Sequence, residues 1–342
     1  TRNGKTYLTL VATPKRYYDS YTISGIQYLE EGKEQTKKTF ARIDAQFYKE
    51  LYTYEDWQSI EIGTYQNYRL MNDIDFNGKT DVKTNVTIGR LESEGNQKAL
   101  KNITAELEKD NLGLIQSIQT NITNIKFEGI HFTSKETGTV MGVIGYNNGD
   151  MNHVTFEKVE ILADKRKYTG CIGKNIGKII QNISLNEIKI NGISYVGGLA
   201  GYIEIYKDNT VCNISGNDIT VLASGSQAGG IFGESYSRYY TISQIIIQNS
   251  NIEGKLGNVG GLIGNGGNTR VIESSTINSK IKGKNLVGGL VGTSSTSHID
   301  ITTQNSTIEG TETAIGGILG RGGQMTNGQV ISSTIKRRNE CK

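Results

Sequence analysis

The stretch VGGLIGNGG, residues 259–267, places five glycines in nine residues. A glycine-rich run of this kind either cradles a phosphate or shapes a corner of the backbone, and the two readings predict different proteins. A dinucleotide loop needs the pattern G-x-G-x-x-G between a strand and a helix, with an acidic residue about 20 positions later. The residues that follow, NTRVIESSTI, read as a turn and a short strand rather than a helix.

The first six residues of this stretch belong to an internal repeat, apolar-x-Gly-apolar-apolar-Gly. Seven copies are present, and they end at Gly145, Gly173, Gly201, Gly233, Gly264, Gly292 and Gly320. Successive copies therefore follow at an interval of about 28 residues, which rises to about 32 at the two longest spacings and is typical of a stacked repeat architecture. Seven identical phosphate sites, by contrast, are implausible.

Two positions inside each copy are always apolar in this chain, and we expect them to form columns facing the core. The first column is Val143, Cys171, Leu199, Ile231, Leu262, Leu290 and Ile318. The second is Ile144, Ile172, Ala200, Phe232, Ile263, Val291 and Leu319. Cys171 stands where other copies carry Leu or Ile, so we interpret it as a small core hydrophobe.

Short β-branched alternations such as QNISLNEIKI and CNISGNDITV lie between the glycine clusters and predict strands. Several strands per repeat predict an all-β fold, a right-handed parallel β-helix with about 28 residues per coil. Eight or nine coils about 4.8 Å apart give a rod on the order of 40 Å long. The glycines are then expected at corners, through positive φ and close approach of the next coil.

The chain divides into three predicted parts. Residues 1–35 form a β-rich segment, residues 36–78 a small α-helical cap and a strand leading into the solenoid, and residues 79–342 the β-helix. Phe40, Ile43, Phe47 and Leu51 share one helical face, which predicts one or two short helices between about 37 and 61. The stretch DNLGLIQSI resembles a degenerate eighth copy, with Gln116 in the last-glycine position, and NVTIGRLE resembles the start of another coil.

A calcium loop is the alternative reading of the leading strand, because Asp73, Asp75, Asn77 and Gly78 match the start of D-x-D-x-N-G. The twelfth position is Thr84, where such a loop requires a bidentate Glu. Ile74 and Phe76 alternate like inward residues of a strand. We therefore predict a strand with solvated carboxylates and neither a metal site nor a cofactor.

Composition excludes several classes of function. The 37 basic and 34 acidic residues nearly balance, so the chain is not expected to bind nucleic acid. No apolar run reaches the length of a membrane span. The sequence starts at Thr1 rather than Met, so we expect a piece of a larger protein. Acidic residues after position 180 are scattered singly, which predicts no catalytic residues; the alternative is a polysaccharide-active β-helix enzyme, a lyase or glycoside hydrolase.

The two longest repeat spacings carry extra aromatic residues directly after the glycine corner, in GYIEIYKDNT and GESYSRYYTIS. Because the two segments belong to adjacent coils, their side chains should lie together on one edge. Exposed Tyr with Arg is typical of recognition surfaces. The predicted binding residues are Tyr202, Tyr206, Lys207, Tyr236, Arg238, Tyr239 and Tyr240. The alternative is that these tyrosine rings pack on the rod.

The repeated VGGLVG resembles the GLUG motif of large bacterial surface and secreted proteins. Together with YTYEDWQSI, NYRLMNDIDFNG and NVTIGRLE, it is similar to non-catalytic regions of Gram-positive immunoglobulin-A-protease-type zinc metalloproteases. The resemblance covers roughly residues 50–335. It implies a secreted or wall-anchored extracellular module acting as scaffold, adhesin or substrate-positioning domain.

The proteolytic activity of that family does not carry over to this chain. The zinc motif is His-Glu-x-x-His, and the three histidines His131, His153 and His298 do not form it, so we expect them on coil surfaces. The expected partner is a host glycoprotein, a glycan or another domain of the parent protein. The module itself is expected to be monomeric.

Overall fold

The computed structural model describes residues 21–23, 26–30, 33–37, 43–45, 47–206, 208–237 and 240–337. The first four strands are β1 (Tyr21–Ile23), β2 (Ile26–Glu30), β3 (Lys33–Lys37) and β4 (Ile43–Ala45). They form two antiparallel pairs, β1 with β4 and β2 with β3.

The next elements are β5 (Lys49–Leu51), the helix α1 (Tyr54–Gln58) and β6 (Asn67–Leu70). The predicted helical face is therefore wrong for Ile43 in β4 and Leu51 in β5, while Phe40 lies outside the described residues. In the described part of the chain, helix occurs only over the five residues of α1. For β5 the reason is the open edge of the first coil, whose unpaired main-chain groups need partners. Strand β5 supplies them by pairing in parallel with β6.

The helix α1 begins at a capping box and carries one fully buried ring. The Thr53 hydroxyl accepts a hydrogen bond from the Asp56 backbone amide, and the Asp56 carboxylate accepts one from the Thr53 amide at 3.0 Å. Trp57 donates from Nε1 to the Lys83 carbonyl oxygen at 2.9 Å and packs edge-on against Phe76. Within the described ranges no helix is long and apolar enough to span a bilayer.

The remaining strands follow in chain order. The first group is β7 (Ile74–Asp75), β8 (Val86–Ser93), β9 (Lys98–Glu106), β10 (Ile115–Thr133), β11 (Gly138–Met141), β12 (Ile144–Asn147), β13 (Asp150–Leu162), β14 (Arg166–Thr169), β15 (Ile172–Asn175), β16 (Ile179–Gly192), β17 (Tyr195–Gly197), β18 (Ala200–Ile205), β19 (Thr210–Ala223), β20 (Gln227–Gly229) and β21 (Phe232–Ser237). The second group is β22 (Thr241–Gln248), β23 (Asn251–Gly254), β24 (Val259–Gly260), β25 (Ile263–Asn265), β26 (Arg270–Ile277), β27 (Lys280–Gly283), β28 (Leu286–Gly288), β29 (Val291–Thr293), β30 (Ser297–Gln304), β31 (Thr307–Gly310), β32 (Ala314–Gly316), β33 (Leu319–Arg321), β34 (Gln324–Thr326), β35 (Gln329–Ile331) and β36 (Thr334–Arg337).

These strands stack in parallel into a β-solenoid of about 9 turns with about 29 residues per turn, close to the predicted coil length. Each repeated coil has a short strand before the glycine corner, a second after it, and longer strands that close the turn. The strands before the corner form one seven-stranded sheet, β11, β14, β17, β20, β24, β28 and β32.

The second predicted apolar column is confirmed by the strand register. Ile144 pairs with Ile172, and the ladder continues through Ala200, Phe232, Ile263, Val291 and Leu319. Cys171 is fully buried, as expected of a core residue. The pairing of Ile115 with Ile144 and with Val86 also confirms DNLGLIQSI and NVTIGRLE as coils of the same stack.

The corner glycines are required by close approach rather than by backbone angle. A Cβ atom added to Gly261 would lie 2.1 Å from the Gly289 carbonyl oxygen. Four corner residues, Gly198, Gly230, Gly261 and Gly289, do not have the positive φ expected of them, so that part of the prediction is wrong. Positive φ occurs instead at Gly267, the end of the opening stretch.

Non-glycine residues take the left-handed bends of the long strands. Ladder-related residues with φ near +50° form two columns, one with His153, Asn182, Asn213, Gln244, Glu273 and Asp300, the other with Lys158, Glu187, Asp218, Asn249, Asn278 and Asn305. Asparagine tolerates this conformation because its short polar side chain can hydrogen-bond locally. Because the bends recur at ladder-related positions, each long strand turns at the same place as its neighbours.

Candidate binding face

One column of outward side chains follows the glycine corner along the rod. Its members come directly after the last glycine of each copy, or after Gln116 in the degenerate one. The strand register stacks Ser117, Tyr146, Lys174, Tyr202, Glu234, Asn265, Thr293 and Arg321. From Ser117 to Thr293, each is followed directly by a buried residue, such as Ile203 after Tyr202 and Asn175 after Lys174. Because successive strand residues point to opposite faces, the side chains of the column point outward.

A second column lies on the strands before the corner, where Tyr168 pairs with Tyr195. Their rings stack with centroids 4.9 Å apart, close to one coil spacing. Across the corner, the Tyr168 ring meets the Tyr202 ring edge to face at 5.6 Å. The two columns therefore converge. We call the partly exposed cluster the tyrosine–lysine face, with members Lys167, Tyr168, Lys174, Tyr195, Tyr202, Glu204 and Glu234.

Two ammonium groups lie over these rings. Lys167 Nζ is 5.0 Å from the Tyr168 ring centre and 5.3 Å from that of Tyr195. Lys174 Nζ is 4.8 Å from Tyr168 and 4.9 Å from Tyr202. These are cation–π distances. A hydrogen bond to the Tyr168 hydroxyl raises the pKa of Lys167.

Two carboxylates lie beside the same rings. The Tyr202 hydroxyl donates to Glu204 Oε1 at 3.1 Å, and the Tyr206 hydroxyl donates to the other oxygen. Asn265 Nδ2 donates to Glu234 Oε1 at 3.0 Å. Burial raises the pKa of Glu234 above its ordinary value and also raises the pKa of Tyr202. The face therefore combines aromatic rings, cations and hydrogen-bond acceptors.

The predicted binding residues divide into three groups. Tyr202 belongs to the face, while Tyr206 and Tyr236 beside it each expose about half of their surface, 49%. Tyr236 pairs in register with Glu204, so these tyrosines share one edge. Tyr240 packs against the core, as in the alternative reading of rings packed on the rod. Lys207, Arg238 and Tyr239 lie outside the described residues.

Several members of the face are not among the binding residues predicted from the sequence. Lys174 and Glu234 could have been found by reading the residue after the last glycine in every copy. The pairing of Tyr168 with Tyr195 could not, because the two tyrosines do not stand at the same distance from their glycine corners. Alignment on the glycines places Tyr168 opposite Val196 instead.

Two of the calcium candidates, Asp73 and Asp75, accept hydrogen bonds from neighbouring residues. Asp75 accepts from the Asn77 amide at 3.0 Å and from Asn102 Nδ2 at 2.9 Å, which lowers its pKa. Ile74 and Phe76 are buried, as a strand reading predicts. In the part of the chain that the structure describes, no three His, Cys, Asp or Glu residues are grouped to hold a metal ion.

The prediction of surface histidines is wrong for His298. This side chain is fully buried, and its Nδ1 accepts a hydrogen bond from the Val271 amide at 3.2 Å. It occupies an inward position of β30, in register with Met325 on the next coil. His131 is half exposed and forms a contact of 2.7 Å with Glu160 Oε2.

Comparison with known proteins gives one structural similarity. Neither a protein-family model nor a curated protein matches this sequence. The chain is similar to a solved structure described as a "putative immunoglobulin A1 protease" from Bacteroides ovatus, at 16% identity and a TM-score of 0.42. The similarity covers 85% of this chain and 84% of the other. The GLUG-motif resemblance and the Gram-positive origin stay predictions.

Proposed function

We propose that this chain is a non-catalytic β-helix module of a larger bacterial surface or secreted protein that presents the tyrosine–lysine face to a host glycoprotein or glycan. The observation that carries the proposal is the convergence of three tyrosine rings and two lysine ammonium groups across one glycine corner. The extracellular location and the role beside a metalloprotease follow only from the GLUG-motif resemblance.

The scaffold supports recognition because it holds the face in one arrangement. Lys174 and Tyr202 lie on strands paired to a coil on each side. The stacked rings of Tyr168 and Tyr195 restrain each other further. Binding to a preorganised surface costs little ordering of side chains. Tyrosine adds a large rigid contact area with a polar tip, which suits the mixed surface of a glycan.

A binding screen tests the proposal. The chain is applied to immobilised glycans and host glycoproteins, including immunoglobulin A, beside the variants Tyr202→Ser and Tyr52→Ser. Tyr52 is a matched control because it is 45% exposed and lies on the first coil, far along the rod from the face. We expect Tyr202→Ser to weaken binding and Tyr52→Ser to leave it unchanged, with both variants folded by circular dichroism.

Three results would contradict the proposal. The first is that no glycan or glycoprotein binds, and the second is that Tyr202→Ser binds as well as the unsubstituted chain. The third is turnover of a polysaccharide, which would favour the alternative of a polysaccharide-active enzyme. Glu204 and Glu234 lie on adjacent coils, with Tyr202 the ladder partner of Glu234 and the hydrogen-bond partner of Glu204. Loss of turnover in Glu234→Gln would assign that activity to this pair.

A further inference from the structure

The two lysines of the tyrosine–lysine face differ from many other lysines of the rod in their surroundings. Lys126, Lys189 and Lys282 each form an ion pair with a glutamate on a neighbouring coil. Among the described residues, neither Lys167 nor Lys174 has a carboxylate oxygen within ion-pair distance, and both lie over tyrosine rings. The Glu234 carboxylate attracts both ammonium groups from a longer distance. Because neither lysine is held in an ion pair, each keeps N–H donors for an anionic ligand.

The positions of the two ammonium groups favour one shared anion. Both lie within 5.0 Å of the same Tyr168 ring centre, and they come from strands on opposite sides of the glycine corner. A planar carboxylate can accept from two such donors at once, and charge-assisted hydrogen bonds of this kind are the strong ones. The Tyr168 ring beside both ammonium groups offers an apolar contact for the carbon skeleton next to the carboxylate.

The remaining groups of the face fit hydroxyl groups rather than a second charge. Glu204 accepts hydrogen bonds from Tyr202 and Tyr206, and Glu234 accepts one from Asn265. Ionised carboxylates have about four acceptor positions each, so both can accept further bonds from sugar hydroxyls. A ligand with one carboxylate and several hydroxyls on the same ring satisfies both halves of the face.

The outward column also has the length for an extended ligand. From Ser117 to Asn265 it crosses six stacked strands, which is roughly 24 Å at the usual strand spacing. At the Ser117 end it reaches a cleft of about 260 Å³ lined by Tyr65, Gln116, Ser117, Gln119, Tyr146 and Asn148. The polar side chains of the column thus continue beyond the lysines.

We propose that the tyrosine–lysine face binds an acidic glycan, with Lys167 and Lys174 holding a sugar carboxylate and Glu204 and Glu234 accepting from its hydroxyls. This inference depends on the proposed function, since it names the ligand class of the same face. The carboxylate could belong to an internal uronate or to a terminal sialic acid, and the two sources share this chemistry.

Titration calorimetry with a hyaluronan octasaccharide and its carboxyl-reduced form tests the role of the acid group. A sialylated glycoprotein, assayed before and after sialidase treatment, tests the terminal source. We expect binding to at least one acidic ligand and a loss of about tenfold or more when its carboxylates are removed. Lys167→Gln and Lys174→Gln should each reproduce that loss, Lys174→Arg should retain binding, and Lys189→Gln on another strand should change nothing.

The outcomes separate this inference from the proposed function. Equal affinity for the acidic and neutral forms, no binding to either acidic ligand, or full binding by the Lys167→Gln, Lys174→Gln double variant would overturn the acidic-glycan assignment. If neutral glycans still bind in a manner that depends on Tyr202, the proposed function stands and only the acidic-glycan assignment is wrong. If the whole glycan and glycoprotein screen is negative, both are wrong.

Discussion

The carbonyl oxygen of Gly289 lies 2.1 Å from the point where a Cβ atom on Gly261 would stand, although the two glycines belong to successive coils. The same relationship links Gly230 to Gly261 at 2.2 Å. A side chain at these corners would separate the coils, and hydrogen bonds such as that from Leu262 N to Leu290 O at 2.8 Å hold them together.

The substitution Gly261→Ala is therefore expected to lower the free energy of unfolding by at least about 2 kcal/mol, because the methyl group overpacks against backbone that cannot move aside. Gly95→Ala is the control, since Gly95 has φ +68° and open space around it. It should cost only about 1 kcal/mol, from the left-handed backbone alone. Chemical denaturation of both variants makes the comparison; equal losses would contradict the close-approach explanation.

A ladder of asparagine side chains connects four coils on the outside of the rod. Asn217 donates to Asn186 at 2.9 Å, Asn249 donates to Asn217 at 2.9 Å, and Asn278 donates to Asn249 at 3.5 Å. Asn249 and Asn278 also occupy left-handed bends, whereas Asn217 does not. Asn249 and Asn278 therefore each adopt a left-handed backbone conformation and form a ladder hydrogen bond with the side chain.

Replacing Asn217 or Asn249 by Ala removes two ladder bonds in each case, which should cost about 1 to 2 kcal/mol of unfolding free energy. Asn249→Ala should cost about 1 kcal/mol more, because Ala is disfavoured at φ +53°. Equilibrium unfolding of both variants measures the difference. Asn249→Gly removes the bonds but tolerates the bend, so it should lie close to Asn217→Ala; a loss as large as that of Asn249→Ala would contradict the account.

The tyrosines at the edge of the face should respond differently to substitution. Tyr236 has an exposed ring, whereas Tyr240 packs against the core and donates its amide to Ser237 Oγ at 2.9 Å. We expect Tyr236→Ser to change stability by no more than about 0.5 kcal/mol and Tyr240→Ser to cost about 1 to 2 kcal/mol. Thermal melts of the two variants provide the test, and equal melting temperatures would refute the packing of Tyr240.

Buried His298 should make the stability of the rod depend on pH in mildly acidic solution. Burial and the nearby Arg270 charge lower its pKa from 6.5 to about 4. Between these values the unfolded chain binds a proton that the folded chain does not, so the contribution is complete above about pH 6.5. It is lost as the pH falls towards 4, by on the order of 3 kcal/mol.

His298→Asn isolates this effect, because the amide oxygen can still accept from the Val271 amide while the side chain does not titrate. The stability difference between the two chains, measured by denaturant unfolding at pH 7 and pH 4.5, should move in favour of the variant at the lower pH. Other groups titrate equally in both chains and cancel. A stability difference that does not change with pH would show that the pKa of His298 is the same in the folded and the unfolded chain.

Repetition explains how much of the fold was predictable. In a stacked rod each position meets the same position of the next coil. The regular period and the recurrence of glycine at positions such as Gly198 and Gly261 therefore already imply the apolar column through Ile172 and Ile263. The same logic extends to the residue after each corner, which gives Lys174 above Tyr146 and below Tyr202. None of these positions depends on a long-range contact outside the register.

The sequence by itself determined the coil length, the inward columns and the position of every glycine corner, because those depend on identical neighbours one period apart. Only the tertiary structure decided that Tyr168 meets Lys174 across a corner, that His298 lies inside, and that residues 49–51 form a strand rather than a helix. The first outcome depends on the angle at which strands meet at a corner, and the third on an open sheet edge that needs a partner, and neither has a periodic signature in the chain. His298 precedes Ile299, the ladder partner of Ile272, and so stands where Val271 stands one coil earlier. Only the packed coil shows that this apolar position accepts a histidine, because the Val271 amide gives its ring nitrogen a hydrogen bond.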